Sequence, residues 1–184
     1  MSIQQQYIEI YSKNQSSVQS HMNFWLEHVV FSWQWWIMVS TLILLWTLFW
    51  KLKKTEVLPR ITIFGLLWII VASNLDGLGY ELGLWGYTYN LSPFLPKSYV
   101  FDYCLIPITY MLLYQYFPRG KSFFYSNVVL ALGASLIAEP VAEKLDLYIP
   151  FHWSVFISIP LYIMISYLLK FITERICRSI SHEK

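Results

Sequence analysis

Four ionisable residues stand where long apolar stretches of the chain run out: Asp76, Asp102, Glu139 and His152. Three carboxylates and an imidazole, brought together, have two chemistries open to them. They can coordinate a divalent cation through oxygen and nitrogen donors, or they can divide the roles of proton donor and acceptor toward a substrate. Asp76, Asp102, Glu139 and His152 are therefore the candidate metal ligands, and Glu81, Tyr103 and Tyr110 join them as candidates for ligand binding. The four lack a diagnostic spacing such as His-Glu-x-x-His, so their grouping has to come from the elements that carry them. Glu139 and Glu143 stand one helical turn apart and would repel unless one is protonated, paired or metal-bound. Lys144 and Asp146 offer partners close by.

The elements are hydrophobic runs. The chain has 184 residues, 57% of them hydrophobic and 13% charged, where a soluble domain carries roughly 25% charge. The apolar residues come in unbroken blocks instead of amphipathic periods. The expected fold class is all-α: an integral membrane bundle of about five transmembrane helices, near 29–50, 60–78, 100–117, 122–142 and 152–171. The first run, at ~1.5 Å per residue, covers about 33 Å and exceeds a ~30 Å hydrocarbon core. It ends at Lys51, Lys53 and Lys54, and the second follows Pro59, a residue suited to a helix start. Residues 1–28 are too polar to span and are expected as an interfacial helix at most. Residues 173–184 read as a basic tail.

Orientation follows from the cations, because cytoplasmic loops are enriched in Lys and Arg. With the N-terminus outside and the C-terminus in the cytoplasm, Lys51, Lys53, Lys54, Arg60, Arg119, Lys121, Lys170, Arg175, Arg178 and Lys184 all fall inside, leaving Lys13, Lys97 and Lys144 outside. Trp33, Trp35 and Trp36 at one end of the first span and Trp46 and Trp50 at the other suit interfacial belts.

On this topology Asp76, Asp102, Glu139 and His152 come from four spans and lie at similar depth on the outer side. Between its bounding ionisable groups each of spans two to five holds only about 15 to 17 residues, roughly 23 to 26 Å, so polar groups are drawn inward. Lys and Arg at the cytoplasmic ends can snorkel to water, whereas Asp is too short to reach far. Two readings stay open. The outer groups converge on a pocket, as intramembrane ionisable groups facing a bundle interior do, or thinning and tilt leave them solvated among headgroups.

The remaining features are weaker signals. Residues 77–97 hold Gly77, Gly79, Gly83, Gly86, Pro93 and Pro96 and read as an ordered loop with tight turns. Pro107, Pro140 and Pro160 interrupt three spans. Ala131, Gly133, Ala134, Ser135 and Ala138 form a small-residue face for helix contact. The start of the chain lacks the pattern of a cleaved signal peptide, and Cys104 and Cys177 fall on opposite sides, so no disulfide is expected between them. The net charge of +2 and scattered cations exclude a nucleic-acid surface. No Cys-x-x-Cys, nucleophile elbow or Walker A loop is present.

Three stretches carry a resemblance: Asp102 through Pro118 with its Ile-Pro-Ile-Thr-Tyr-Met-Leu-Leu-Tyr-Gln-Tyr core, Glu139-Pro140, and His152-Trp153-Ser154 followed by Pro160-Leu161-Tyr162. Together they resemble a family of small, uncharacterised multi-pass membrane proteins of spore-forming Gram-positive bacteria, which implies a bacterial plasma membrane and a compact helical bundle. The order Asp76, Trp85, Tyr87, Ile106-Pro107-Ile108 is more faintly similar to carotenoid-cyclase-type membrane domains. The functional expectation is a membrane-embedded protein that binds a ligand or cation, or assists transport, through an acidic pocket on the outer side. The alternatives are an intramembrane enzyme acting on lipid or isoprenoid, with Glu139 or Asp102 as acid and His152 as base, and a structural, partner-organising envelope protein. The lipid bilayer is the expected surrounding, with a membrane partner or second copy as the further expected contact.

Overall fold

A computed structural model describes residues 2–96 and 98–182; Lys97, whose place among the outer cations was expected, lies outside the described residues. Helix α1 spans Ile3–Phe24 and begins with a capping box, Ser2 Oγ accepting from Gln5 N at 3.2 Å while Gln5 Oε1 accepts from Ser2 N at 2.9 Å. It buries none of its residues. A π-helical turn, Trp25–Val29, leads to α2, Trp33–Leu52, capped by Ser32. A 3-10 turn, Thr55–Val57, then opens α3, Leu58–Glu81, with Pro59 in its first turn.

The second span is longer at its outer end than the glycine pattern suggests. Gly77 and Gly79 lie inside α3 and not in the loop assigned to them. The reason is packing. A Cβ on Gly79 would lie 2.0 Å from the Trp85 ring, so this glycine admits a tryptophan against the helix. Gly83, with φ +67, is the residue that turns the chain.

After the loop, a π-helical turn at Phe101–Leu105 runs into α4, Ile106–Tyr116. Helix α5, Gly120–Gly133, passes through a third π-helical turn, Ala134–Ala138, into α6, Glu139–Lys144. The last two of these turns have the same cause. Pro107 and Pro140 each sit two residues beyond one, and the carbonyls their rings would strike, at Tyr103 and Leu136, belong to the widened turns. The prolines are thus absorbed without ending the helices. Helix α7, Val155–His182, starts three residues later than expected and carries most of the predicted tail in helical form. Glu174 lies between Lys170 at 3.8 Å and Arg178 at 4.0 Å, each four residues away.

Among the described residues four helical runs are long and apolar enough to cross a membrane: Trp33–Leu52, Thr55–Glu81, Gly120–Lys144 and Val155–Ile180. No more than 22% of the residues in each run's apolar window are buried, so apolar side chains such as Leu44, Ile70, Val129, Phe156 and Met164 face outward. That outer surface suits lipid. The expected third span falls short of the others, with 16 residues from Phe101 to Tyr116. It is also the most enclosed: Ile108, Tyr110, Met111 and Tyr114 join Phe64, Trp68 and Phe123 in the core. Gly65 lets α4 approach α3, since a Cβ there would lie 2.4 Å from Met111 Sδ.

The loops at the Asp76 end are stitched into a lid. Strand β1, Trp85–Gly86, pairs antiparallel with β2, Ile149–Pro150. Trp25 Nε1 and Trp35 Nε1 donate to the carbonyls of Asn90 and Leu91 at 3.1 and 3.0 Å. Trp35, expected only in an interfacial belt, anchors the loop at Leu91.

Candidate functional site

Beneath this lid lies a cavity of about 320 Å³. Its floor is the stacked pair Trp68 and Tyr110, ring centroids 4.0 Å apart. Its roof is Trp85, Tyr87, Tyr148 and Trp153, with Trp85 edge-on to Trp153 at 4.9 Å. Ala72 and Leu75 of α3, Leu105 and Thr109 before and within α4, Gly133, Ala134 and Ala138 before α6, and Leu161 and Ile165 of α7 complete the walls. Part of the small-residue face therefore lines this space instead of closing a helix contact.

Two acidic centres interrupt the apolar wall. At the first, Asp76 Oδ1 accepts from Trp85 Nε1 at 2.9 Å and from the Tyr87 hydroxyl, while its Oδ2 meets Ser98 Oγ at 2.5 Å. Ser98 Oγ also reaches Asp102 Oδ2. Asp102 is 3% exposed and Ser98 1%. At the second centre, Glu139 accepts from Ser158 Oγ at 3.2 Å and Tyr162 Oη at 3.3 Å, and Trp153 Nε1 donates to Ser158 at 2.9 Å.

The two lid phenols keep their protons. Burial raises Tyr87 well above its ordinary value, and the charge of Asp76 and the bond to it push the same way. Tyr148 is raised by burial and then by the charges of Glu139, Asp76 and Glu143. Both are neutral donors at any ordinary pH.

The structure brings Asp76, Asp102, Glu139 and Tyr110 into one cavity wall. It leaves the other candidates out. Glu81 is exposed at the end of α3. Tyr103 stacks on Tyr99 at 4.6 Å. His152 is exposed, its backbone N–H donating to Leu84 O at 2.9 Å and its Nδ1 lying 3.1 Å from Gly83 O. It straps the lid and does not enter the cavity, so the pairing of His152 as base with Glu139 or Asp102 as acid does not form. Among the described residues no three His, Cys, Asp or Glu side chains group to hold a metal ion, and the set Asp76, Asp102, Glu139 and His152 does not close on a point.

Several lining residues escaped the reading of the sequence as site residues. Trp85 and Tyr87 were legible in principle, since alternate residues of an extended segment share a face, and both reach the same oxygen of Asp76. Ser158 and Tyr162, one helical turn apart, converge on Glu139. Ser98 has no sequence signal of its own.

Comparison with protein-family models, curated proteins and solved structures finds no match. No Lys, Arg or His is among the described residues that line it, so nothing there compensates an anionic group. Carboxylate oxygens and aromatic faces instead favour a positive charge or a hydrogen-bond donor on an apolar body.

Proposed function

We propose that this chain is a membrane-embedded binding protein whose cavity takes a small, mostly apolar ligand carrying a positive charge or donor group, as a carrier or the substrate-capturing part of a transport assembly. The observation that carries this reading is the placement of two hydrogen-bonded carboxylate centres on an otherwise apolar, aromatic wall of one cavity. Such a wall desolvates a ligand's apolar body while the carboxylates fix its polar end.

In the same proposal the chain crosses the bilayer five times, N-terminus outside, in a bacterial plasma membrane, with the cavity toward the outer leaflet. Support for the fifth crossing comes from the 101–116 helix. Its start meets Asp76 through Ser98, and its end meets the α2–α3 turn, Gln115 Nε2 donating to Leu52 O at 2.9 Å and Gln115 Oε1 accepting from Lys54 N at 2.7 Å. It thus covers the depth that α3 covers between those levels. The cations at the Lys54 end support the orientation; the bacterial membrane rests on the resemblance carried together by the 102–118, 139–140 and 152–162 stretches.

Binding is tested with purified protein in a neutral detergent by thermal unfolding and tryptophan fluorescence, using hexyltrimethylammonium, hexyl sulfate and hexanol as probes. The ammonium ion is expected to stabilise the protein and perturb its fluorescence, hexanol to do so weakly, and hexyl sulfate not at all. An equal response to all three, or none, overturns the reading.

A second reading is favoured by the carboxyl pair facing an apolar cavity: proton-initiated rearrangement of an isoprenoid double bond, Asp102 donating the proton and Glu139 receiving one. Incubation with a polyene and product analysis decides it. Recovery of unaltered polyene alone counts against it.

A further inference from the structure

Ser98 stands between two carboxylates with too few hydrogens. Its Oγ lies 2.5 Å from Asp76 Oδ2 and within hydrogen-bond reach of Asp102 Oδ2, yet a hydroxyl supplies one hydrogen. If Ser98 donates to Asp76, the contact with Asp102 is closed only by a hydrogen that Asp102 carries; the converse holds if it donates to Asp102. The three groups are complete when one additional proton is held between the two carboxyls, and that proton belongs to the pair.

The other titratable groups that line the cavity are Tyr87 and Tyr148 from the lid, Tyr110 from α4, Glu139 from α6 and Tyr162 from α7. All are neutral donors or further acceptors. No cationic side chain is among the described lining residues, so the proton is what limits negative charge in the cavity. Two further polar groups lie buried in the floor: Tyr110 is 3% and Trp68 1% exposed, and their Oη and Nε1 have no hydrogen-bond partner among the described residues.

We propose that the Asp76–Ser98–Asp102 group makes ligand binding a proton exchange: a cation entering the cavity displaces the shared proton to solvent. This rests on the binding role proposed above. The step balances. One positive charge enters as one proton leaves, the pair passes from one negative charge to two, and no covalent bond other than the carboxyl O–H is broken. By linkage, a ligand that expels a proton binds more tightly as pH rises, by up to about tenfold per pH unit for one proton. A pocket coupled in this way lets a proton gradient drive release or capture of an organic cation.

The test uses the full chain in weakly buffered detergent with a pH-indicator dye and hexyltrimethylammonium, whose quaternary nitrogen has no proton to give. Close to one proton released per probe bound is expected at neutral pH, with affinity rising toward higher pH; hexanol, being uncharged, is expected to release none. Asp102→Asn and Ser98→Ala, each at saturating probe, are expected to bring the proton count toward zero and flatten the pH dependence. Probe binding to the unaltered protein with no proton released and a flat pH profile overturns the exchange and leaves the binding role standing. Absence of probe binding at any pH defeats the binding role and the exchange with it.

Discussion

Gly79 and Trp85 occupy one space: a Cβ on the glycine would lie 2.0 Å from the indole, whose Nε1 donates to Asp76 at 2.9 Å. The backbone of α3 is thereby part of the site, although neither Gly79 nor any neighbouring glycine touches the cavity. Gly79→Ala is expected to push Trp85 off the helix and weaken its bond to Asp76, destabilising the fold by about 1–3 kcal/mol as overpacking does. Gly77→Ala meets nothing within 4 Å and is expected to stabilise α3 by roughly 0.5–1 kcal/mol. Thermal unfolding and tryptophan emission of the two variants check this pair of opposite effects.

How much of this was legible in the sequence depends on what each residue borrows from its neighbours. Four of the runs are visible because a hydrocarbon solvent demands apolar length, and Asp76, Asp102 and Glu139 meet in one cavity because each ends a run at the same side. His152 shares their depth along the chain but not their destination. It sits on the β2 turn, where its ring is taken by Gly83 O. Gly77 and Gly79 misled in the other direction, since glycine reads as a loop residue until a tryptophan that needs its missing side chain is known to lie opposite. Ser98 could not be found, because one serine in a polar loop resembles any other until two carboxylates are seen to share it.

Alkaline pH probes the lid. Tyr87 keeps its proton well past the ordinary phenol value in the folded chain, whereas an unfolded chain releases it near pH 10. The folded state then binds more protons, so stability is intact below about pH 10 and falls as pH rises from there toward the raised value. The slope is up to about 1.4 kcal/mol per pH unit for each such group. Tyr148 adds to the same window. Tyr87→Phe is expected to start less stable, through loss of its bond to Asp76, and to decline less steeply, as read by thermal unfolding between pH 9 and 11. Equal slopes would show that Tyr87 ionises normally.

At the opposite end Gln115 is 7% exposed and joins α4 to the α2–α3 turn through Leu52 O and Lys54 N. Gln115→Leu leaves both backbone groups without that partner, a loss of about 1–3 kcal/mol for each group that water does not reach. The melting temperature is expected to fall while the response to hexyltrimethylammonium at the cavity is retained. Loss of that response together with stability would mean that the turn and the cavity are mechanically coupled.

Glu139 separates charge from proton exchange. It faces the same cavity as the Asp76–Asp102 pair, but its partners are Ser158 and Tyr162, neither of which touches Ser98 in the bonds described. Glu139→Gln keeps the volume and one acceptor oxygen, turns the other oxygen into an amide N–H that donates to one of the two hydroxyls, and removes one negative charge. A charge-assisted contact contributes about 1.5–3 kcal/mol, so the variant is expected to bind hexyltrimethylammonium roughly tenfold to a hundredfold more weakly and hexanol about as before. The number of protons released per bound cation should nevertheless stay near one, because the exchanged proton sits on the other centre. Calorimetric titration in two buffers of different ionisation enthalpy reads affinity and proton count in the same experiment. A fall in proton count with Glu139→Gln would move the exchange site to Glu139 and make the Ser98 bridge a structural contact.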